Sequence, residues 1–308
     1  MSLIDHVPRR VRVVEVGPRD GLQNERTVLS VDAKVEFITR LAAAGFPLIE
    51  AGAFVRPDRV PQMADTDGVF RRLPASRHTM FSALVPNVRG MERAARCGVR
   101  EVAVFTAASE AFVQRNISMT IEESLAAFRE VIALARPQGC RVRAYVSTAW
   151  WCPYTGRVSP ESVRHIAVAL YEMGCYEISL GDTIGAATPG EVITLLDLLI
   201  RDLPVGALAV HFHDTRGTAL ANVLAALACG IHTVDASAGG LGGCPFAPGA
   251  SGNLATEDLL YMLHGMGIET GVVLASVAVA SHWVAPLLDH PLPSRFLQGG
   301  SRQVPGVV

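Results

Sequence analysis

His211 and His213 stand two residues apart in the run AVHFHDTRGTALAN, residues 209–222. On a strand, alternation turns both imidazoles to one face. Two imidazoles converging with a carboxylate and an amide make a hard-to-borderline cation site, and oxygen donors favour Mg or Mn over structural zinc. A His-x-His pair is a weak signal by itself. Its weight comes from polar residues expected at the same level: Arg19-Asp20 in GPRDGLQNE, Glu50, Asp182-Thr183 and Asn253. Most of these have a plainer reading when taken singly. Arg19-Asp20 fits a surface ion pair, and Asn253 fits a cap for a helix opening at Ala255-Thr256-Glu257. Cys244 fits a small buried hydrophobe, although the glycines at 239, 240, 242 and 243 argue for a mobile loop around it. Glu50 resists such a reading, because an unpaired carboxylate inside an apolar strand is costly.

Composition removes several other chemistries. Lys34 is the only lysine among 27 basic residues. It falls early in an amphipathic helix after Ser30 and Asp32, where a solvated side chain is expected, whereas Schiff-base chemistry needs a desolvated lysine at its centre. Cys97, Cys140, Cys152, Cys175, Cys229 and Cys244 show no C-x-x-C spacing, which argues against a zinc knot or a disulfide framework. A formal charge of −2 and the absence of long like-charge runs disfavour nucleic acid as a partner. No signal-like start and no run of about 18 uncharged apolar residues is seen, so a cytoplasmic protein without a membrane segment is expected. The histidines at 6, 78, 165, 232, 264, 282 and 290 read as structural or surface residues.

The elements that must position these side chains recur with a regular period. Apolar or β-branched runs at Val11–Gly17, Leu48–Phe54, His78–Val85, Glu101–Thr106, Arg141–Thr148, Glu177–Gly181, Ala207–His213 and Thr233–Ala238 read as eight strands. Helical spacing fills the gaps at Asp32–Ala44, Val88–Cys97, Ile121–Ala135, Pro160–Met173, Pro189–Asp202 and Thr218–Cys229. Gly45, Gly98, Gly174 and Gly230 fit left-handed C-caps. Strict alternation means a parallel sheet, and eight repeats predict an α/β fold, a (β/α)8 TIM barrel with additional C-terminal helices. One catalytic domain is expected over 1–290, with the helical extension from about 254 and a flexible tail over 291–308. Active sites of such barrels lie at the C-terminal strand ends, where the polar residues above fall.

The segment Val14–Glu25, VEVGPRDGLQNE, is similar to the signature of the 3-hydroxy-3-methylglutaryl-CoA lyase family. VPQM at Val60–Met63, AASE at Ala107–Glu110, MGCYEISLGDTIG at Met173–Gly185, the histidine run and the glycine-cysteine stretch Gly240–Leu263 continue the resemblance in order, over about residues 10–270. The resemblance implies Asp20, His211, His213 and Asn253 as ligands of Mg2+ or Mn2+. It implies Arg19 as the stabiliser of carbonyl charge, Glu50 as a catalytic glutamate beside the metal, and Cys244 as the reactive loop cysteine. Gln23, Asp182 and Thr183 match active-site polar positions, and Asn116 and Arg143 match positions near the acyl-CoA. The implied reaction is retro-Claisen cleavage of a 3-hydroxyacyl-CoA to acetyl-CoA and acetoacetate, by a homodimer or higher oligomer. Asp20 or His211 would then be the base, and His211 or Cys244 the proton donor to C2.

Two departures leave the acyl group open. Ala51-Gly52-Ala53 replaces a hydroxyl-rich run, and Trp150-Trp151 replaces small or aliphatic residues. Strand alternation puts Gly52 on the face of Glu50, so the barrel mouth is expected to hold Gly52 with an indole filling or reshaping it. A larger 3-hydroxyacyl-CoA is the alternative substrate, and an acetyl-CoA-dependent condensing synthase is the alternative reaction.

Overall fold

The computed structural model describes residues 7–242 and 252–299. The strands are β1 (Arg12–Glu15), β2 (Leu48–Ala53), β3 (Met80–Leu84), β4 (Glu101–Ala107), β5 (Arg141–Ser147), the short β6 (Trp151–Cys152) and β7 (Gly156–Arg157), then β8 (Glu177–Asp182), β9 (Leu208–Phe212) and β10 (Thr233–Ala236). Eight of them close a parallel barrel in the order β1-β2-β3-β4-β5-β8-β9-β10, and β6 and β7 form a separate antiparallel hairpin. All eight expected barrel strands are present. Helices α1 (Val31–Ala43), α2 (Thr66–Arg72), α3 (Val88–Arg96), α4 (Glu110–Ile117), α5 (Ile121–Ala135), α6 (Pro160–Met173), α7 (Pro189–Leu199) and α8 (Ala219–Ala228) surround it. After β10 come α9 (Thr256–Gly265), α10 (Leu274–Val284) and α11 (Arg295–Gln298).

Local chemistry accounts for the helix limits. Ser30 caps α1 by accepting from Ala33 N–H, and Thr120 with Glu123 forms a capping box on α5. Gly45, Gly98, Gly174 and Gly230 all have positive φ, as expected of their caps. The tail departs from expectation as far as Gln298. Leu292 and Ser294 are buried, and Asp258 accepts from the backbone N–H groups of Arg295 and Phe296, so this stretch is packed rather than free.

Lys34 also departs. Its side chain is only 4% exposed, and its ammonium donates to Asp65 and to the Gln62 carbonyl, each at 2.5 Å. The short helix α2 was not foreseen, and the turn leading into it supplies that partner. The lysine therefore braces α1 against the segment after β2.

Apolar packing lies mainly outside the strands, where Val13 of β1 and Val11 just before it join helix residues such as Phe37, Ile38 and Leu41 in one core. The barrel interior is charged instead. Arg12 of β1 pairs with Glu177 of β8, Arg143 of β5 pairs with Glu177 and with Asp235 of β10, and Tyr145 of β5 donates to Glu50 of β2. Charges alternate in sign along this ladder, so each buried ion has a partner.

Candidate active site

Five residues after β1, Gly17–Gly21, make a single wide helical turn that carries Arg19 and Asp20 over the barrel mouth. Gly17 is needed there: a Cβ on it would lie 2.7 Å from a Glu15 carboxylate oxygen. Arg19 is buried, donating from Nε and one Nη to Glu50 at 2.7 and 3.1 Å and from the other Nη to Asp20 at 2.7 Å. Burial opposes its charge, but Glu50 and Asp20 outweigh that and hold the guanidinium firmly protonated.

β9 runs without a bulge, so His211 and His213 share a face, with rings 5.4 Å apart. Beyond the strand, His213 pairs across an isolated bridge with Asn253, whose side chain donates to Asp20 Oδ2 at 2.9 Å. One ligand atom each from Asp20, His211 and His213 lies within 4.8 Å of the others. Buried His213 Nδ1 and Asn253 Oδ1 have no hydrogen-bond partner among the described residues. Orphaned lone pairs beside a carboxylate fit a divalent cation and are costly otherwise. Burial raises the Asp20 pKa, yet Arg19, the two histidines and Asn253 prevail and hold it down to about 2. Burial, aided by His211, pushes His213 down to about 4. For His211 burial works in the same direction, but Asp235 and Asp20 outweigh it and raise the pKa. Near neutrality the cluster therefore offers an ionised carboxylate and a neutral His213, the forms a metal takes.

Glu50 is 1% exposed and is linked to this cluster through Arg19. Gln23 and Asn116 both line a cavity of about 1090 Å3 that spans the ends of β2, β3 and β4, with Arg56, Arg59, Arg89 and Arg115 around it. Cys244 lies outside the described residues.

Other expectations are corrected by the geometry. Gly52 does not face the mouth. The pairing of β2 with β3 slips between Glu50 and Gly52, and a Cβ on Gly52 would meet the Thr66 side chain of α2 at 2.9 Å. One extra residue in a strand reverses the faces beyond it. Trp150 and Trp151 point away as well, their indole N–H groups donating to the Glu191 carbonyl and carboxylate on α7, and Trp150 packs on Phe212, the outward residue between the two histidines. Asp182 is in register with Phe212 and so faces outward. It accepts from Ala186 and Ala187 N–H, and burial pushes its pKa up to about 6 against those bonds. Thr183 accepts from Thr148 N–H, closing the loop after β5. Arg143 is 2% exposed and spends its fork on Glu177, Asp235 and Tyr145, so it supports the site from below rather than reaching a thioester at the rim.

Two supporting residues escaped the sequence reading. Tyr145 donates to Glu50 at 2.7 Å, and Asp235 approaches His211 Nδ1 at 3.5 Å. Asp235 carried the same signal as Glu50, a carboxylate within an apolar strand.

Glu15 is a third, and it joins the segments that carry the site. It accepts from Gly17 and Ala238 N–H at 2.8 and 2.9 Å and from the Thr256 hydroxyl at 2.7 Å. Burial raises its pKa from 4.5 to about 8, against those bonds. A raised folded pKa means stability fully present below the unfolded value and lost as pH rises through the folded one. The thermal midpoint is thus expected to fall as the pH passes from about 5 to about 8, and Glu15→Gln to flatten that fall. Circular dichroism melts over that range check it; equal slopes in the two proteins refute the assignment.

Fold and site together define a (β/α)8-barrel enzyme whose mouth carries a candidate cation site beside a buried arginine. The chain belongs to the HMGL-like family, whose sequence model matches residues 10–284. It is 59% identical over 268 residues to the hydroxymethylglutaryl-CoA lyase of Pseudomonas mevalonii, covering 87% of this chain and 89% of that protein. The crystal structure of hydroxymethylglutaryl-CoA lyase from Pseudomonas aeruginosa matches with a TM-score of 0.94 at 47% identity, over 96% of this chain and 98% of that one. An HMG-CoA lyase from Acinetobacter baumannii, solved with coenzyme A and 3-methylmalate, matches with a TM-score of 0.92 at 36% identity, over 96% and 97% of the chains. No described helix is long and apolar enough to cross a membrane.

Proposed function

We propose that the protein cleaves (S)-3-hydroxy-3-methylglutaryl-CoA into acetyl-CoA and acetoacetate. The observation that carries this reading is the convergence of Arg19 with Asp20, His211, His213 and Asn253 at the barrel mouth. Asp20, His211, His213 and Asn253 would hold a Mg2+ or Mn2+ ion, which when bound would supply Lewis acidity toward the substrate. Asp20 or His211 accepts the 3-hydroxyl proton. As the C2–C3 bond breaks, its electron pair passes to C2 and the thioester, while C3 becomes the ketone of acetoacetate. Arg19, fixed between Glu50 and Asp20, meets the charge that gathers on the thioester oxygen. His211 or Cys244 returns a proton to C2.

The arginine-rim cavity suits the phosphates of coenzyme A, and Gln23 and Asn116, which also line it, suit polar contacts with the acyl chain. Gly52, Trp150 and Trp151 do not line that cavity, so the departures that hinted at a larger acyl group lose their geometric basis. Catalytic efficiency is therefore expected to be highest on the methylglutaryl thioester. An assay of acetyl-CoA release across 3-alkyl homologues tests this, and a strong preference for a homologue overturns it.

A further inference from the structure

His211 and His213 share a face and a proposed role, yet their rings have different surroundings. Nδ1 of His213 is buried with no partner among the described residues, and no carboxylate stands behind it among them. His211 instead turns Nδ1 toward Asp235 Oδ2, at 3.5 Å, and Nε2 toward Asp20 Oδ2, at 3.8 Å. The approach to Asp235 falls short of a full hydrogen bond, as is common in active sites before a ligand tightens them.

Asp235 is itself held on three sides. Arg143 donates to its two oxygens at 2.7 and 3.2 Å, and the Ser179 hydroxyl donates to Oδ2 at 2.8 Å. The strands impose the rest: Asp235 and His211 are paired residues on adjacent parallel strands, so their side chains leave the sheet together. Asp235 is 1% exposed and Arg143 2%, which keeps water from competing for the pair.

We propose that Asp235 is a positioning residue for His211, fixing its ring in the Nδ1–H tautomer so that the Nε2 lone pair is presented to the cation site, with Arg143 and Ser179 locking the carboxylate. A neutral imidazole ligates through one nitrogen only, and a carboxylate behind the other chooses which. The inference rests on the metal site of the proposed function. It also gives Arg143 a purpose at a distance from the thioester and, with both ring nitrogens of His211 engaged, leaves Asp20 to accept the hydroxyl proton and Cys244 to return one to C2.

Two measurements separate its failure from failure of that site. Mn2+ binding to the purified wild-type protein, followed by electron spin resonance, tests the site itself; no binding sinks both readings. With wild-type binding in hand, Asp235→Asn is expected to weaken it about 10–100-fold, the range for loss of a carboxylate behind a metal-bound imidazole; an unchanged affinity overturns the role of Asp235. The variant leaves Arg143 short of a charge partner and can fold poorly, so the second measurement uses wild type alone. In 15N-histidine-labelled, metal-free protein, the proton–nitrogen coupling pattern of neutral His211 is expected to show the Nδ1–H tautomer. A predominant Nε2–H form overturns the inference whatever the variant does.

Discussion

A His213→Ala variant is expected to lose Mn2+ or Mg2+ affinity and turnover together, by at least the roughly 10–100-fold that even the outer partners of a metal ligand are worth. His213 is buried, its Nδ1 is orphaned, and it stands across a backbone bridge from Asn253, whose Oδ1 is orphaned too. Removing the ring leaves the carboxylate of Asp20 and the amide of Asn253 with one imidazole. Chelation of the wild-type protein should reach the same end state reversibly, with Mg2+ or Mn2+ restoring activity. Steady-state assays before and after chelation, beside the variant, measure this. Full turnover from metal-stripped wild-type protein refutes the cation's role.

Arg19→Gln is expected to lower kcat by about 10²–10³-fold, the usual cost of removing one preorganised donor from a developing oxyanion. KM should move far less, because the loss falls on the transition state. The substitution also removes both arginine bonds to buried Glu50, leaving Tyr145 as its donor. Stability must therefore be read separately. Adding Glu50→Gln to Arg19→Gln should recover part of the melting temperature without recovering turnover. A single variant that folds normally and keeps near-normal kcat removes Arg19 from the chemistry.

How far the sequence could be read depended on whether local rules held without interruption. β9 is regular, so alternation placed His211, Phe212 and His213 correctly. β2 carries a slip after Glu50, and the same rule put Gly52 on the wrong face. The glycine of Ala51-Gly52-Ala53 is a bulge signal that the alternation rule passes over, and the Thr66 side chain that a Cβ on Gly52 would meet comes from another element. Asp182 failed for a related reason: a polar residue at a strand end can serve the mouth or the loop behind it, and register with Phe212 decides for the loop. Lys34 was misread because helix spacing said nothing about the unforeseen turn that supplies Asp65. Asp20, His211 and His213 could be grouped from the sequence because the barrel must bring strand ends together, and the structure sets them side by side, whereas Asn253 entered only through the family resemblance. Arg143 shows the limit of residue type alone. A buried arginine and one meant for a ligand look identical until the acids around it are placed.

The charged ladder inside the barrel bears on how the chain reaches this fold. Arg12 answers Glu177, Arg143 answers Asp235, and Tyr145 answers Glu50, each link crossing between strands far apart in the chain. Chains of this length commonly fold through partly formed intermediates. An apolar interior would let an incomplete barrel collapse onto itself with little discrimination. Here, closure with a strand missing or shifted leaves at least one ion buried without its counterpart, a fault costing several kcal/mol. The interior pairs therefore disfavour miscounted or misregistered barrels, because the eight-stranded arrangement gives each of these ions its partner.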